Sequence, residues 1–319
     1  KIDIIQWQED PAKFITNALS PAKISGIKID PPGGGKNTAT VFVGADQLSD
    51  KRAEATKIAA RLSELDASMM EVNARFEAAN KGAEEAAKEL GDVEIIYTGP
   101  TDTTAEGQIE VINSLIAQGV DAIVHLGGIS TERAFEDILD ANIRGTFHVY
   151  EAARKHGIKR VVFASSNHVT GFYPQDETVD AQSVRRPDCY YGLSKSYGED
   201  LATFYFHRYG IETVSLRIGS SFPEPRNLRM LSTWLSYPDL AHLVERALLA
   251  ENVGHTVVYG VSANRDLWWN NRYAAHLGFA PQDSSEQFRG KLEQLPQAAA
   301  DERSALLQGG AFTSAGPFD

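Results

Sequence analysis

Tyr191 and Lys195 stand four residues apart in the segment YGLSK. On a helix that spacing puts both side chains on one face. An ammonium beside a phenol favours the phenolate, which lowers the tyrosine's pKa towards working pH and makes it a usable general base. The pair alone is a weak signal, because 11 Tyr and 13 Lys in 319 residues supply about 0.4 such spacings by chance. Its weight comes from VVFASSN (161–167), an apolar run ending in Ser165 and Ser166. Open parallel sheets bind ligands at the carboxyl ends of their strands. A hydroxyl placed there can hydrogen-bond a substrate oxygen whose charge changes during hydride transfer. The bland alternative for the two serines is a capped strand end.

The elements that must hold these groups alternate along the chain. DAIVHLGG (121–128) reads as a strand, and ILDANIRGTFHVYEAARKHG (138–157) as an amphipathic helix ending in a glycine after Lys155 and His156. KRVVFASS (159–166) reads as a buried strand, YGLSKSYGEDLATFYFHRYG (191–210) as a helix and ETVSLRIG (212–219) as a strand. Upstream, VEIIYTGP (93–100) and EGQIEVINSLIAQG (106–119) read as strand and helix. Such alternation predicts an α/β fold with a doubly wound, Rossmann-like parallel sheet covered on both faces. Residues 1–50 break the pattern: DPAKFITNAL (10–19) suits a short helix, and KISGIKID (23–30) and TATVFVGA (38–45) a loose hairpin across PPGGGKN. Residues 51–65 and 76–90 read as helices. Four segments follow: an atypical α+β piece (1–50), a helical linker (51–75), an α/β segment completing the sheet (76–120), and a catalytic and substrate half (121–319).

Composition narrows the partners. A net charge of −12 argues against nucleic acid held mainly through phosphates. No apolar run reaches the ~20 residues needed to span a bilayer and no signal segment opens the chain, so a cytoplasmic location without membrane contact is expected. The single cysteine, Cys189, excludes an intramolecular disulfide and a cysteine-cluster zinc site, and no metal is expected.

Ser followed about 25 residues later by Tyr-x-x-x-Lys is the active-site pattern of short-chain dehydrogenases. The wording around it is narrower: HLGGIS (125–130), ANIRGTFHVYEAAR (141–154), FASSNHVTGFYP (163–174), RRPDCYYGLSKSYGEDLA (185–202), SLRIGSSFPEP (215–225), TWLS (233–236), TVVYG (256–260), WWNN (268–271) and PQDSSE (281–286). Residues 121–319 resemble the uronate dehydrogenases of the extended short-chain dehydrogenase family. The resemblance implies NAD-dependent oxidation of a hexuronate at C1 to an aldarolactone. It implies Tyr191 as the base that removes the anomeric proton, Lys195 as the group that tunes it and holds the nicotinamide ribose, and Ser165 as the hydroxyl that orients the substrate. It places substrate contacts on Ser130, Ser166, Asn167, His168, Ser220 and Arg229, the guanidinium suiting a carboxylate. It places cofactor contacts on Gly127, Gly128 and Asn142 beside Lys195. A homo-oligomer is left open.

One part is missing. Dinucleotide sites of this kind use a Gly-rich turn between a strand and a helix to cradle the pyrophosphate. Residues 1–120 contain neither G-x-x-G-x-x-G nor G-x-G-x-x-G. Instead, residues 2–50 resemble part of the KH region of a Nus-type transcription elongation factor, without its G-x-x-G loop and with net charge −1 over 1–50. Residues 76–123 resemble the N-terminal lobe of a periplasmic sugar-binding protein of the rhamnose or autoinducer-2 type. The chain reads as a mosaic, and the rival expectation is an α/β protein without dehydrogenase activity. An RNA-binding or sugar-binding module stands far behind both.

Overall fold

The computed structural model describes residues 24–29, 39–43, 120–295 and 302–316. The chain divides into two compact units, Lys1–Thr98 and Gly99–Asp319. In the first, β1 (Ile24–Ile29) pairs antiparallel with β2 (Ala39–Val43), with Ile29 opposite Ala39 and Ile27 opposite Val41. This is the hairpin expected across PPGGGKN. Its register slips between Ile24 and Gly26, where a residue without a side chain accommodates a bulge. The helices expected at 10–19, 51–65, 76–90 and 106–119 and the strand at 93–100 lie outside the described residues.

The second unit is built on a parallel sheet of β3 (Ala122–His125), β4 (Arg160–Ser166), β5 (Glu212–Ile218) and β6 (His255–Gly260), hydrogen-bonded in that order. The β-branched run RVVF fits a central strand whose two faces are both covered. Adjacent residues point to opposite faces. Val162, Val214, Leu216 and Val258 pack on Leu243 and Ala247 of helix α3 (Tyr237–Leu249). Val161 packs on the other side with Tyr150 and Ala153 of α1 (Gly145–His156) and Ala202 and Tyr205 of α2 (Tyr190–Tyr209). Burying each such aliphatic chain contributes about 1.5–3 kcal/mol. The doubly wound α/β sheet expected from the sequence is present.

Helix α1 is the end of a longer helical run. The turn Phe135–Ile138 passes into a π-helical stretch, Leu139–Arg144, and then into α1, which stops at Gly157 with φ +77°. Helix α2 buries one stripe: Tyr191, Lys195, Gly198, Glu199, Ala202 and Tyr205. These follow the 3.6-residue period, so packing and chemistry share a single face. The approach is close. A Cβ on Gly198 would lie 2.3 Å from Cζ of Phe163 in β4, so only glycine lets α2 settle at this depth. At the carboxyl end of β6, Tyr259 joins Tyr173, Val179, Trp268 and Trp269 in a separate apolar cluster.

Candidate active site

Helix α2 begins at the carboxyl edge of β4, and its first turn is held from outside. The Glu132 carboxylate accepts hydrogen bonds from the backbone N–H groups of Tyr190 (2.9 Å) and Tyr191 (2.8 Å). A negative group is favoured at a helix N-terminus, where the N–H groups have no partners of their own. Nothing local in the sequence marked Glu132 for this work, because the contact spans 59 residues.

Tyr191 is buried, and the Ser166 hydroxyl is the side-chain group that favours its ionised form. Burial pushes the phenol up to about 12, with Ser166 pulling the other way. This corrects the expectation of a lowered pKa. Lys195 lies over the rings of Phe163 and Tyr191, with Nζ 5.1 and 5.7 Å from their centroids. Burial also brings the Lys195 ammonium down to about 8. Beside it His125 is held neutral, lowered to about 3 first by burial and then by Lys195.

The two serines part company. Ser165 donates to Glu199 Oε1 at 2.6 Å, behind the site. Ser166 faces Tyr191 and accepts from the backbone N–H of His168 at 3.2 Å, opening the 3-10 turn Asn167–Thr170. The hydroxyl beside the phenol is thus that of Ser166, and Ser165 has no part in that contact. Consecutive residues on β4 point to opposite faces, so the two hydroxyls leave the strand in different directions.

The substrate candidates form a second cluster on the same edge. Arg229 is half-buried, and desolvation lowers its guanidinium to about 10, with Asp188 opposing the shift. Its Nε donates to the Gln308 carbonyl at 3.1 Å, Nη2 donates to the same oxygen, and Nη1 reaches Ser220 Oγ at 3.4 Å. In the amide orientation that satisfies both neighbours, Asn167 donates to the Ile218 carbonyl and accepts from Arg229 Nη2, each at 3.1 Å. His168 Nδ1 lies 2.7 Å from Asp188 Oδ2, and its ring stacks on Phe312 at 4.0 Å. Phe312 also tilts against Tyr191 at 6.1 Å. Gln308, Phe312 and Asp188 were not singled out from the sequence, and the first two sit in a C-terminal stretch with no periodic signal.

Of the cofactor candidates, Gly128 has φ +127°, and a Cβ on it would sit 2.8 Å from Asn142 Oδ1. Asn142, in the π-helical stretch, accepts from Ile129 N (2.8 Å) and donates to Ile129 O (3.0 Å) and Ser194 Oγ (2.9 Å). Ser194 in turn donates to the Tyr191 carbonyl at 2.7 Å. Asn142 therefore ties the loop after β3 to the helix bearing the tyrosine. Gly127 and Ser130 are exposed on that loop, and no hydrogen bond joins Ser130 to either cluster.

With this geometry in place, the comparisons are specific. A family model described as the NAD dependent epimerase/dehydratase family matches residues 56–266. The chain belongs to the NAD-dependent epimerase/dehydratase family. The match begins upstream of residue 121, where the resemblance read from the sequence starts. Within the family, the chain is 67% identical over 204 residues to a uronate dehydrogenase of Pseudomonas putida, covering 64% of this chain and 76% of the relative. The crystal structure of uronate dehydrogenase from Agrobacterium tumefaciens superposes with a TM-score of 0.63 at 44% identity, covering 70% of this chain and 85% of that one. A point mutant of that enzyme complexed with NAD gives 0.63 at 43% identity, covering 71% and 86%. The epimerase/dehydratase resemblance thus extends to sequence and structure alike. Neither the KH-like nor the sugar-binding-like reading of the N-terminal segments gains support, and apart from β1 and β2 those segments lie outside the described residues.

The described residues of this family member fit the nicotinamide end of its cofactor. Lys195 is a buried ammonium with three donors, and among the described residues no oxygen accepts from it. A ribose diol is the kind of acceptor such a group lacks. Gly128 leaves the backbone bare where the loop turns over Asn142. Among the described residues no helix is long and apolar enough to cross a membrane.

Proposed function

We propose that this enzyme oxidises a hexuronate such as galacturonate or glucuronate at C1 to the aldarolactone. Bound NAD supplies the hydride acceptor. The joint placement of two clusters on one sheet edge carries the reading: Tyr191 with Ser166 and Lys195 on one side, and Arg229 with Asn167 and Ser220 on the other.

Tyr191 as phenolate takes the proton of the C1 hydroxyl, which leaves the oxygen electrons free to form the lactone carbonyl as the C1–H bond breaks. Ser166 hydrogen-bonds the same oxygen and orients it. Ser166 thereby takes the role that the sequence resemblance gave to Ser165. Lys195 holds a positive charge beside the phenol and favours its ionised form. Its donors hold the cofactor ribose. Arg229 and Ser220 receive the distal carboxylate, with Asn167 fixing the plane of the guanidinium and His168 closing the pocket from the Asp188 side. A charge-assisted pair with this half-buried guanidinium is stronger than a neutral hydrogen bond, and a neutral hexose forgoes it. Gly128 and Asn142 shape the loop against the nicotinamide. Ser130 and Gly127 belong to that loop's outer part.

The experiment is product identification. Galacturonate with NAD and the protein is followed by proton NMR at the anomeric signal. Loss of that signal with appearance of the lactone, at one equivalent of NADH, supports the reading. An unchanged anomeric signal, with NAD binding also absent by calorimetry, overturns it.

A further inference from the structure

Behind the catalytic edge lies a buried polar chain that none of the steps above uses. Glu199 is one turn beyond Lys195 and two beyond Tyr191 on the same face of α2. Its carboxylate receives both Nε (2.9 Å) and Nη2 (2.8 Å) of Arg217 on β5, and both side chains are 1% exposed. Ser165 adds its 2.6 Å bond to Glu199 Oε1. Arg217 Nη1 donates to Tyr259 Oη on β6 at 2.9 Å, and Tyr259 Oη lies 3.0 Å from Thr170 Oγ1. Thr170 closes the 3-10 turn and donates to the Asn167 carbonyl at 3.3 Å. Ser165, Arg217 and Tyr259 are direct cross-strand partners, so the sheet presents them as a row.

The row touches both halves of the site. At one end it holds the helix that bears Tyr191 and Lys195, and at the other the turn that bears Asn167 and His168. A buried ion pair is weak evidence for stability, since well-packed apolar side chains of the same volume often serve a core equally well or better. What a two-bonded guanidinium–carboxylate pair adds is direction.

We infer that Glu199 and Arg217, with the Ser165 hydroxyl, are positioning residues that set the rotation of α2 so that the Tyr191 phenol meets Ser166. This rests on the dehydrogenase reading. It concerns groups that never touch substrate or cofactor, and it assigns Ser165 a purpose distinct from that of its neighbour.

The deciding variant combines Glu199→Met with Arg217→Met, because removing one alone strands the other in the core, while Arg185, 3.3 Å from Glu199, keeps its pairing with Asp200. The expected result is a thermal midpoint near that of the wild type, a kcat lower by roughly 10–100-fold, and a KM for galacturonate of unchanged order, as a displacement of about 1 Å at the base would produce. A folded double variant with wild-type kcat overturns the inference. Should the double variant not fold, Ser165→Ala decides. It removes one bond of the row, and a kcat lower by roughly 3–10-fold at unchanged KM supports positioning, whereas wild-type kinetics sink it. A crystal structure of Ser165→Ala separates this failure from failure of the dehydrogenase reading. Tyr191 and Ser166 hydroxyls kept at their wild-type separation contradict the inference whether or not the protein turns over.

Discussion

Ser165 and Ser166 are neighbours on β4 whose hydroxyls act on different groups of one α2 stripe: the first donates to Glu199 at 2.6 Å, and the second favours the ionised Tyr191 phenol. Their substitution effects differ accordingly. Ser166→Ala removes a donor at the reacting oxygen and lowers kcat by roughly 10²–10³-fold. Ser165→Ala stays within about tenfold of the wild type. Steady-state kinetics of the two variants check this, and equal losses would contradict it.

The pH profile follows from two buried groups. Tyr191 acts deprotonated and its phenol is pushed up to about 12 by burial, so the oxidation rate climbs with pH from neutrality. Lys195 acts protonated and is lowered to about 8 by burial, so the climb bends over as pH passes that value. The expected profile of kcat/KM is a rise that flattens or turns down above about pH 8. Lys195→Arg keeps the charge at high pH and extends the rise. A wild-type profile that falls steadily from pH 6 to 9 would contradict the assignment.

Stability carries its own signature at His125, which burial lowers to about 3 in the fold. An unfolded histidine binds its proton near pH 6.5. Between these values the unfolded chain holds the extra proton, so stability is complete above about pH 6.5 and falls as pH drops towards 3. The slope from this one residue is about 1.4 kcal/mol per pH unit. Denaturant midpoints from pH 7 to 4 for the wild type and His125→Asn measure it, and the variant should show the shallower acid loss.

Arg229 separates uronates from neutral sugars. Its half-buried guanidinium lies against Asn167, Ser220 and the Gln308 carbonyl. Arg229→Met lowers kcat/KM for galacturonate by roughly 10²–10³-fold, the cost of losing one partner of a desolvated pair, and leaves the feeble rate on galactose within a few fold. Equal losses on both sugars would mean that Arg229 holds the fold rather than the carboxylate.

Much of the fold was legible because it rests on local rules. The apolar run before Ser165, the glycine after Lys155 and His156, and the four-residue spacing of Tyr191 and Lys195 each name an element or a face without help from distant residues. The choice between Ser165 and Ser166 was not legible, since alternation says they diverge but not which one faces the tyrosine. The sign of the Tyr191 shift was missed for a related reason: sequence shows a nearby ammonium but not the depth at which both groups are buried. Glu199 was within reach, falling on the stripe already carrying Tyr191 and Lys195. Glu132, Gln308 and Phe312 arrive from segments far along the chain, and no spacing rule points to them.

The N-terminal segments give one expectation that rests on sequence alone. Without a Gly-rich turn in residues 1–120, NAD is held mainly through its nicotinamide half, and calorimetry should show weaker binding than for a family member that carries the turn. Affinity matching such a member would show that another stretch of residues 1–120 cradles the pyrophosphate.

The central claim is that Tyr191 removes the anomeric proton of a uronate during hydride transfer. Its most direct test is the initial rate of NADH formation at 340 nm (about pH 8, near the bend set by Lys195) with galacturonate and saturating NAD. The wild type is compared with Tyr191→Phe. The account predicts measurable turnover for the wild type and a loss of at least about 10³-fold for a variant that folds normally yet lacks the phenol. Comparable rates from the two proteins, or none from the wild type at high concentration, would contradict it.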